Sequence, residues 1–149
     1  MDLAAVATQL AVRFGPTAIT PPTGYDDVVL STHLLPNALE ETPAVIVFPP
    51  DITYNYPTRN RTGDATFPVR FYIAQTGSLA AATTAVYAWY SVLVEQLVGN
   101  MALGQAATGV THALIAGSRI GHLTYADTEY LGIEFAVVVH FVESLAFVA

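Results

Sequence analysis

The chain has 149 residues, enough for one domain with a substantial core. Apolar residues make up 53% of it, yet Asp, Glu, Lys and Arg together make up only 11%, against roughly 25% in a typical soluble domain. With no Cys there is no disulfide framework, thiolate metal site or cysteine nucleophile, and a net charge of −7 argues against the basic stripe that nucleic-acid binding needs.

The five basic residues are all Arg. The abundance of Val, Ile, Leu, Phe and Tyr excludes a disordered chain, and the opening Met1-Asp2 lacks the basic start of a secretory signal. Three explanations compete for so little charge: a membrane span, an oligomer that buries much of its surface, or a surface rich in uncharged polar residues.

In chain order, Leu3, Val6, Leu10 and Phe14 recur at spacings of three and four, which predicts an amphipathic helix over Asp2–Phe14. Asp2 is its N-cap and Gly15-Pro16 its stop. Residues 15–43 carry five prolines, so a long helix or central strand is not expected there, only a short extended piece at Asp27–Leu35. Ala44–Phe48 is a short apolar run between prolines, predicted as a strand buried on both faces.

Residues 51–65 read as a long polar loop carrying Tyr54, Tyr56, Arg59, Arg61 and Asp64. Phe67, Val69, Phe71 and Ile73 then alternate with less apolar neighbours as a half-buried strand. Gly77-Ser78 opens a helix that runs to about Val98, with Gly99-Asn100 as its stop. This helix has no charged residue from Gly77 to Val94, about the length that flags a membrane span. Hydroxyl residues interrupt it, however, no basic cluster flanks it, and Leu79, Ala82, Val86, Trp89/Tyr90, Leu93 and Leu97 form one stripe. A helix packed on a sheet is the better reading.

Residues 101–109 are rich in Gly and Ala. Val110–Tyr125 predicts a strand, bent near Gly117 and Gly121. A turn at Ala126-Asp127-Thr128 leads to the strongest strand, with Leu131, Ile133, Phe135, Val137, Val139 and Phe141 on one face. The expected fold is a single α+β domain over residues 1–149. It has a mainly antiparallel four-stranded sheet, packed by an N-terminal helix and a long central helix, with a long loop between the first two strands.

No catalytic constellation stands out. No GxSxG, P-loop or GxGxxG motif occurs, and Gly99, Gly104 and Gly109 lack a strand–turn–helix context. The adjacent acids Asp26-Asp27 and Glu40-Glu41 point opposite ways in extended chain. If the last hairpin turns near Ala126-Asp127, His112 lies roughly across from Phe141 and near His140, with Glu143 beyond. A His-His-Glu cluster is then geometrically open, although no HExxH-like spacing fixes two ligands on one element. A small metal- or ligand-binding protein built on those three residues is therefore an alternative reading. Otherwise no cofactor is expected. The 51–65 segment, with its aromatics and two of the five Arg, is the candidate contact surface.

Three stretches carry a family likeness: Pro43–Tyr54 (PAVIVFPPDITY), Thr66–Arg70 (TFPVR) and Glu129–Val139 (EYLGIEFAVVV). They resemble the tail terminator, or tail completion, proteins of long-tailed bacteriophages, most closely those of phages infecting actinobacteria. The element order matches that family from end to end, and the Lys-free, Ala-rich composition suits a virus of a high-GC host.

The resemblance implies a non-enzymatic virion protein at the tail–neck junction, made in the host cytoplasm. It would form a hexameric ring that caps the head-proximal end of the tail tube and ends tube polymerisation. Its implied partners are further copies of itself, the tail tube protein and a neck or head completion protein. DNA would pass through an acidic lumen without specific binding. Another neck or head–tail joining protein is the nearest alternative role.

Overall fold

The computed structural model describes residues 2–55, 60–77, 79–98 and 110–144. Helix α1 (Leu3–Arg13) starts at the expected cap, with the Asp2 carboxylate accepting from the Ala5 N–H at 3.1 Å. It buries Val6, Ala7, Leu10 and Ala11, and Phe14 follows into the core, while Leu3 stays partly exposed. The proline-rich stretch that follows forms one short strand, β1 (Leu30–Thr32). Strands β2 (Ala44–Val47), β3 (Asp51–Asn55) and β4 (Asn60–Gln75) come next, then helix α2 (Leu79–Val98). Strands β5 (Val110–Tyr125) and β6 (Thr128–Ser144) complete the chain.

The architecture is α+β, as expected, but the sheet has six strands rather than four. Its order is β1-β2-β4-β6-β5, with β3 beside the far half of β4. β1 runs parallel to β2, and every other pairing is antiparallel.

The predicted long loop at 51–65 is therefore overturned. Asp51–Asn55 pairs residue by residue with Thr62–Thr66 as a hairpin, and β4 starts at Asn60 rather than near Phe67. β2 and β3 flank β4 in succession, broken only by Pro49-Pro50, which have no N–H to continue a ladder. Pro68 sits opposite that break. The Phe48 N–H donates to its carbonyl at 2.8 Å, so the missing N–H of Pro68 faces the gap and not β6.

One face of the sheet carries the main core. Val45, Val47, Ala65, Phe67, Val69 and Phe71 meet Ile133, Phe135, Val137, Val139 and Phe141 there, beneath the two helices. Helix α2 lays Ala82, Ala85, Val86, Trp89, Leu93 and Leu97 on it, and the Trp89 ring lies 5.2 Å from that of Phe71. Leu79, placed on this stripe by its spacing, is exposed instead, in the first turn of the helix. The expected cap at Ser78 and stop at Gly99-Asn100 fall outside the described residues. No helix among the described residues is long and apolar enough to cross a membrane.

Among the described residues, the opposite face is covered only at one end. There Leu39, Ala44, Ile46, Tyr72, Leu123, Tyr125 and Tyr130 form a second, smaller core. The Tyr125 hydroxyl donates to the Pro36 carbonyl and so pins the 34–39 segment onto it. The β5–β6 turn is a two-residue loop, Ala126-Asp127, with φ of 48° and 66°. Two successive left-handed residues are the signature of a type I′ turn, whose twist matches the sheet.

Candidate functional site

The candidate contact residues turn out to be strand residues at the far end of the sheet, divided between its two faces. Tyr56 and Arg59 lie outside the described residues. Tyr54 on β3 and Arg61 on β4 share the helix-side face, with the Arg61 guanidinium carbon 4.9 Å above the Tyr54 ring. Arg61 also pairs with Glu143 on β6, its Nε donating to Oε2 at 2.8 Å and its Nη2 reaching the same oxygen. Tyr54 stands edge-on to Phe141, with ring centroids 6.0 Å apart at 80°. This group extends the main core outward with an ion pair, a cation–π contact and an edge-to-face ring pair in place of aliphatic packing.

Asp64 belongs to the other face. It pairs across the ladder with His140, Oδ1 to Nδ1 at 2.7 Å. His112 lies directly opposite His140 on β5, and the two imidazoles stack with centroids 5.0 Å apart and planes 19° apart. The expected proximity of His112 and His140 is thus present, although His112 faces His140 and not Phe141. Its cause is a β-bulge between the turn and His112: Gly117 pairs with Ala136 but Ile115 with Val137, so Ala116 is an extra residue on β5 and moves His112 from Phe141 to His140.

The expected third member is absent from this cluster. Glu143 is an odd number of residues from His140, so its side chain emerges on the opposite face, where Arg61 holds it. Among the described residues no group of three or more His, Cys, Asp and Glu is arranged to hold a metal ion. His122 pairs separately with Glu129 at 2.7 Å, near the turn.

A second polar row crosses the same face nearer the small core. Arg70 Nε donates to Glu134 Oε2 at 2.6 Å, its guanidinium carbon lies 4.9 Å over the Phe48 ring, and Arg119 on β5 is in register with Glu134. Beside it, burial pushes the Tyr72 phenol above its ordinary value, and the same cause raises Tyr125. Between the two polar rows, Thr66, Pro68, Leu114, Ala136 and Val138 leave an uncharged strip of sheet open to solvent.

Neither acid pair forms a shared carboxylate site. Asp26, Glu40 and Glu41 instead line a shallow groove of about 540 Å³ against Val29, Leu39 and Tyr130. Sequence reasoning passed over Arg70 and Glu134. Their signal was positional: both fall on the non-core phase of strands whose alternation is otherwise regular.

A scan against protein-family models and a search of curated proteins both returned no match.

Proposed function

We propose that this chain is a non-enzymatic structural subunit that assembles head to tail into a closed ring of the phage tail-terminator type, six-membered as the sequence resemblance implies. One observation carries the reading. Two open edges of the sheet, β1 and β5, lie at opposite ends of the strand order, and exposed apolar side chains stand at or next to each. Val29 adjoins β1, and Leu34 and Leu35 follow it where the chain leaves β1 for the small core; all three are exposed, the last two by 69% and 53%. At the β5 edge, Leu114 and Ile120 are exposed, Leu114 by 45%.

Two unlike sticky patches at opposite ends of one sheet favour a heterologous contact, which closes into a ring when the rotation per subunit divides a full turn. A two-fold dimer would need one patch only. The low charge supports the same reading, since neighbours on both flanks leave less surface to solvate. In this role the ring caps the tail tube, ends its polymerisation and presents a docking surface to the neck. An acidic lumen would let DNA pass.

The test is mass in solution, with and without tail tube protein. The wild-type chain is expected to form one closed species. Leu35→Asp and Leu114→Asp should each be monomeric, and an equimolar mixture of the two should stop at a heterodimer, because each variant keeps one working edge. A wild-type chain that stays monomeric with tube protein present would sink the reading. So would a mixture of the two variants that never pairs while the wild type assembles.

A further inference from the structure

We propose that His112 and His140 form a two-imidazole site for a borderline divalent transition-metal ion, with Zn2+ as the representative and water completing its coordination. This stands independently of ring assembly. It rests on how each ring is held.

His140 Nδ1 lies 2.7 Å from Asp64 Oδ1. A carboxylate only accepts, so Nδ1 carries the hydrogen and the neutral ring presents a bare lone pair at Nε2. His112 Nδ1 lies 3.2 Å from the Thr111 hydroxyl, whose single hydrogen goes to the His140 carbonyl at 3.2 Å. Toward His112 that hydroxyl can therefore only accept, which places a hydrogen on Nδ1 of this ring as well. Both imidazoles are thus set in the tautomer that ligates through Nε2. A carboxylate behind one and a hydroxyl behind the other supply the outer partners that metal-bound histidines normally have.

The bulge at Ala116 makes the pair. Without that extra residue, the register counted from the turn would set His112 opposite Phe141, pointing toward the helices. Thr111, the extra residue of a second bulge, supplies the hydroxyl that orients the His112 ring. His112 is exposed and His140 half-buried, so the His112 ring can leave the parallel stack and turn its Nε2 toward that of His140, as one ion held by both at roughly 2.0–2.1 Å requires. Two imidazoles with open water positions suit Zn2+, Ni2+ and Cu2+ and offer nothing to the hard ions Mg2+ and Ca2+. Asp64 acts as a positioning residue, held to Nδ1 and away from the metal side of the ring.

The experiment is a calorimetric titration of the full chain with ZnCl2, repeated with CuCl2 and MgCl2. One Zn2+ per chain is expected, Cu2+ tighter than Zn2+, and no heat from Mg2+. His112→Ala and His140→Ala should each abolish binding, while a His33→Ala/His122→Ala double variant keeps it. Asp64→Ala should weaken it by roughly tenfold or more and change the ring 15N shifts that report the His140 tautomer. In the wild-type chain, Zn2+ should perturb the ring resonances of His112 and His140 ahead of those of His33 and His122, a readout that needs no variant. Binding that survives in His112→Ala, or that moves with His33 or His122 instead, would overturn the assignment. So would equal uptake of Mg2+.

Discussion

Gln96 on α2 holds both backbone groups of Thr20. Its amide oxygen accepts from the Thr20 N–H at 2.9 Å, and its amide nitrogen donates to the Thr20 carbonyl at 2.9 Å. The side chain thus behaves like a rung of β-ladder, fastening the segment between α1 and β1 to the long helix. Gln96→Ala should cost about 1–2 kcal/mol, two hydrogen bonds at a partly wetted site. Gln96→Glu should be no better, because a carboxylate cannot donate to the Thr20 carbonyl. The midpoint of urea unfolding measures both, and an unchanged midpoint in Gln96→Ala would refute the clamp.

The β5–β6 turn holds an alanine where its backbone favours asparagine or glycine. Ala126 and Asp127 both have positive φ, a region that costs a residue with a Cβ roughly 1–2 kcal/mol. Replacing the pair by Asn-Gly should therefore raise stability by about 1 kcal/mol, seen as a higher melting temperature. Ala126→Val should lower it by more than that, because a β-branched residue enters this region at greater cost.

Gly132 and Gly117 make an opposed pair of tests. A Cβ at Gly132 would stand 2.1 Å from the Phe71 carbonyl oxygen, a backbone atom that cannot step aside. Gly132→Ala should thus destabilise by at least about 2–3 kcal/mol through displacement of the β4–β6 ladder. A Cβ at Gly117 would meet nothing within 4 Å, so Gly117→Ala should be neutral or stabilise by up to about 1 kcal/mol. Thermal unfolding distinguishes the two, and equal effects would contradict the register.

Tyr72 and Tyr125 predict an alkaline limit to stability. Burial raises both phenols above the ordinary value of 10.0. The folded protein therefore keeps them neutral at pH values where the unfolded chain already ionises. Their contribution is complete below the unfolded value and is lost as pH rises through the folded one. These two should develop phenolate absorbance only above the ordinary value, together with loss of circular dichroism. Tyr72→Phe should move that transition to higher pH, and a midpoint that stays put would count against the assignment.

The elements most legible from residues alone were those whose burial follows one period. The cap at Asp2, the stripe Val6–Leu10–Phe14 and the six alternating residues from Leu131 to Phe141 all appear where their spacing puts them. β3 and the start of β4 were illegible for a physical reason. Thr53, Asn55, Thr62 and Asp64 have no apolar alternation, because that end of the sheet is held by Arg61–Glu143 and Asp64–His140 rather than by hydrophobic burial. The uneven spacing of β5 also hides its faces. Bulges at Thr111 and Ala116 invert its phase twice, so Val110, Ala113, Ile115 and Ser118 all fall on the core side without a constant period. The site was half legible for the same reason: the turn position brings His112 near His140, but only the bulge at Ala116 decides which face it joins.

Those two bulges also bear on how a chain with so little charge survives before it meets a partner. A straight sixteen-residue free edge, rich in small and apolar residues, would be a ready template for runaway strand addition and cross-β aggregates. Each extra residue breaks the row of outward-facing amides and carbonyls and bends the strand locally. The longest uninterrupted stretch left, Gly117–Tyr125, carries Arg119 and His122, polar residues of the kind that blunt an exposed edge.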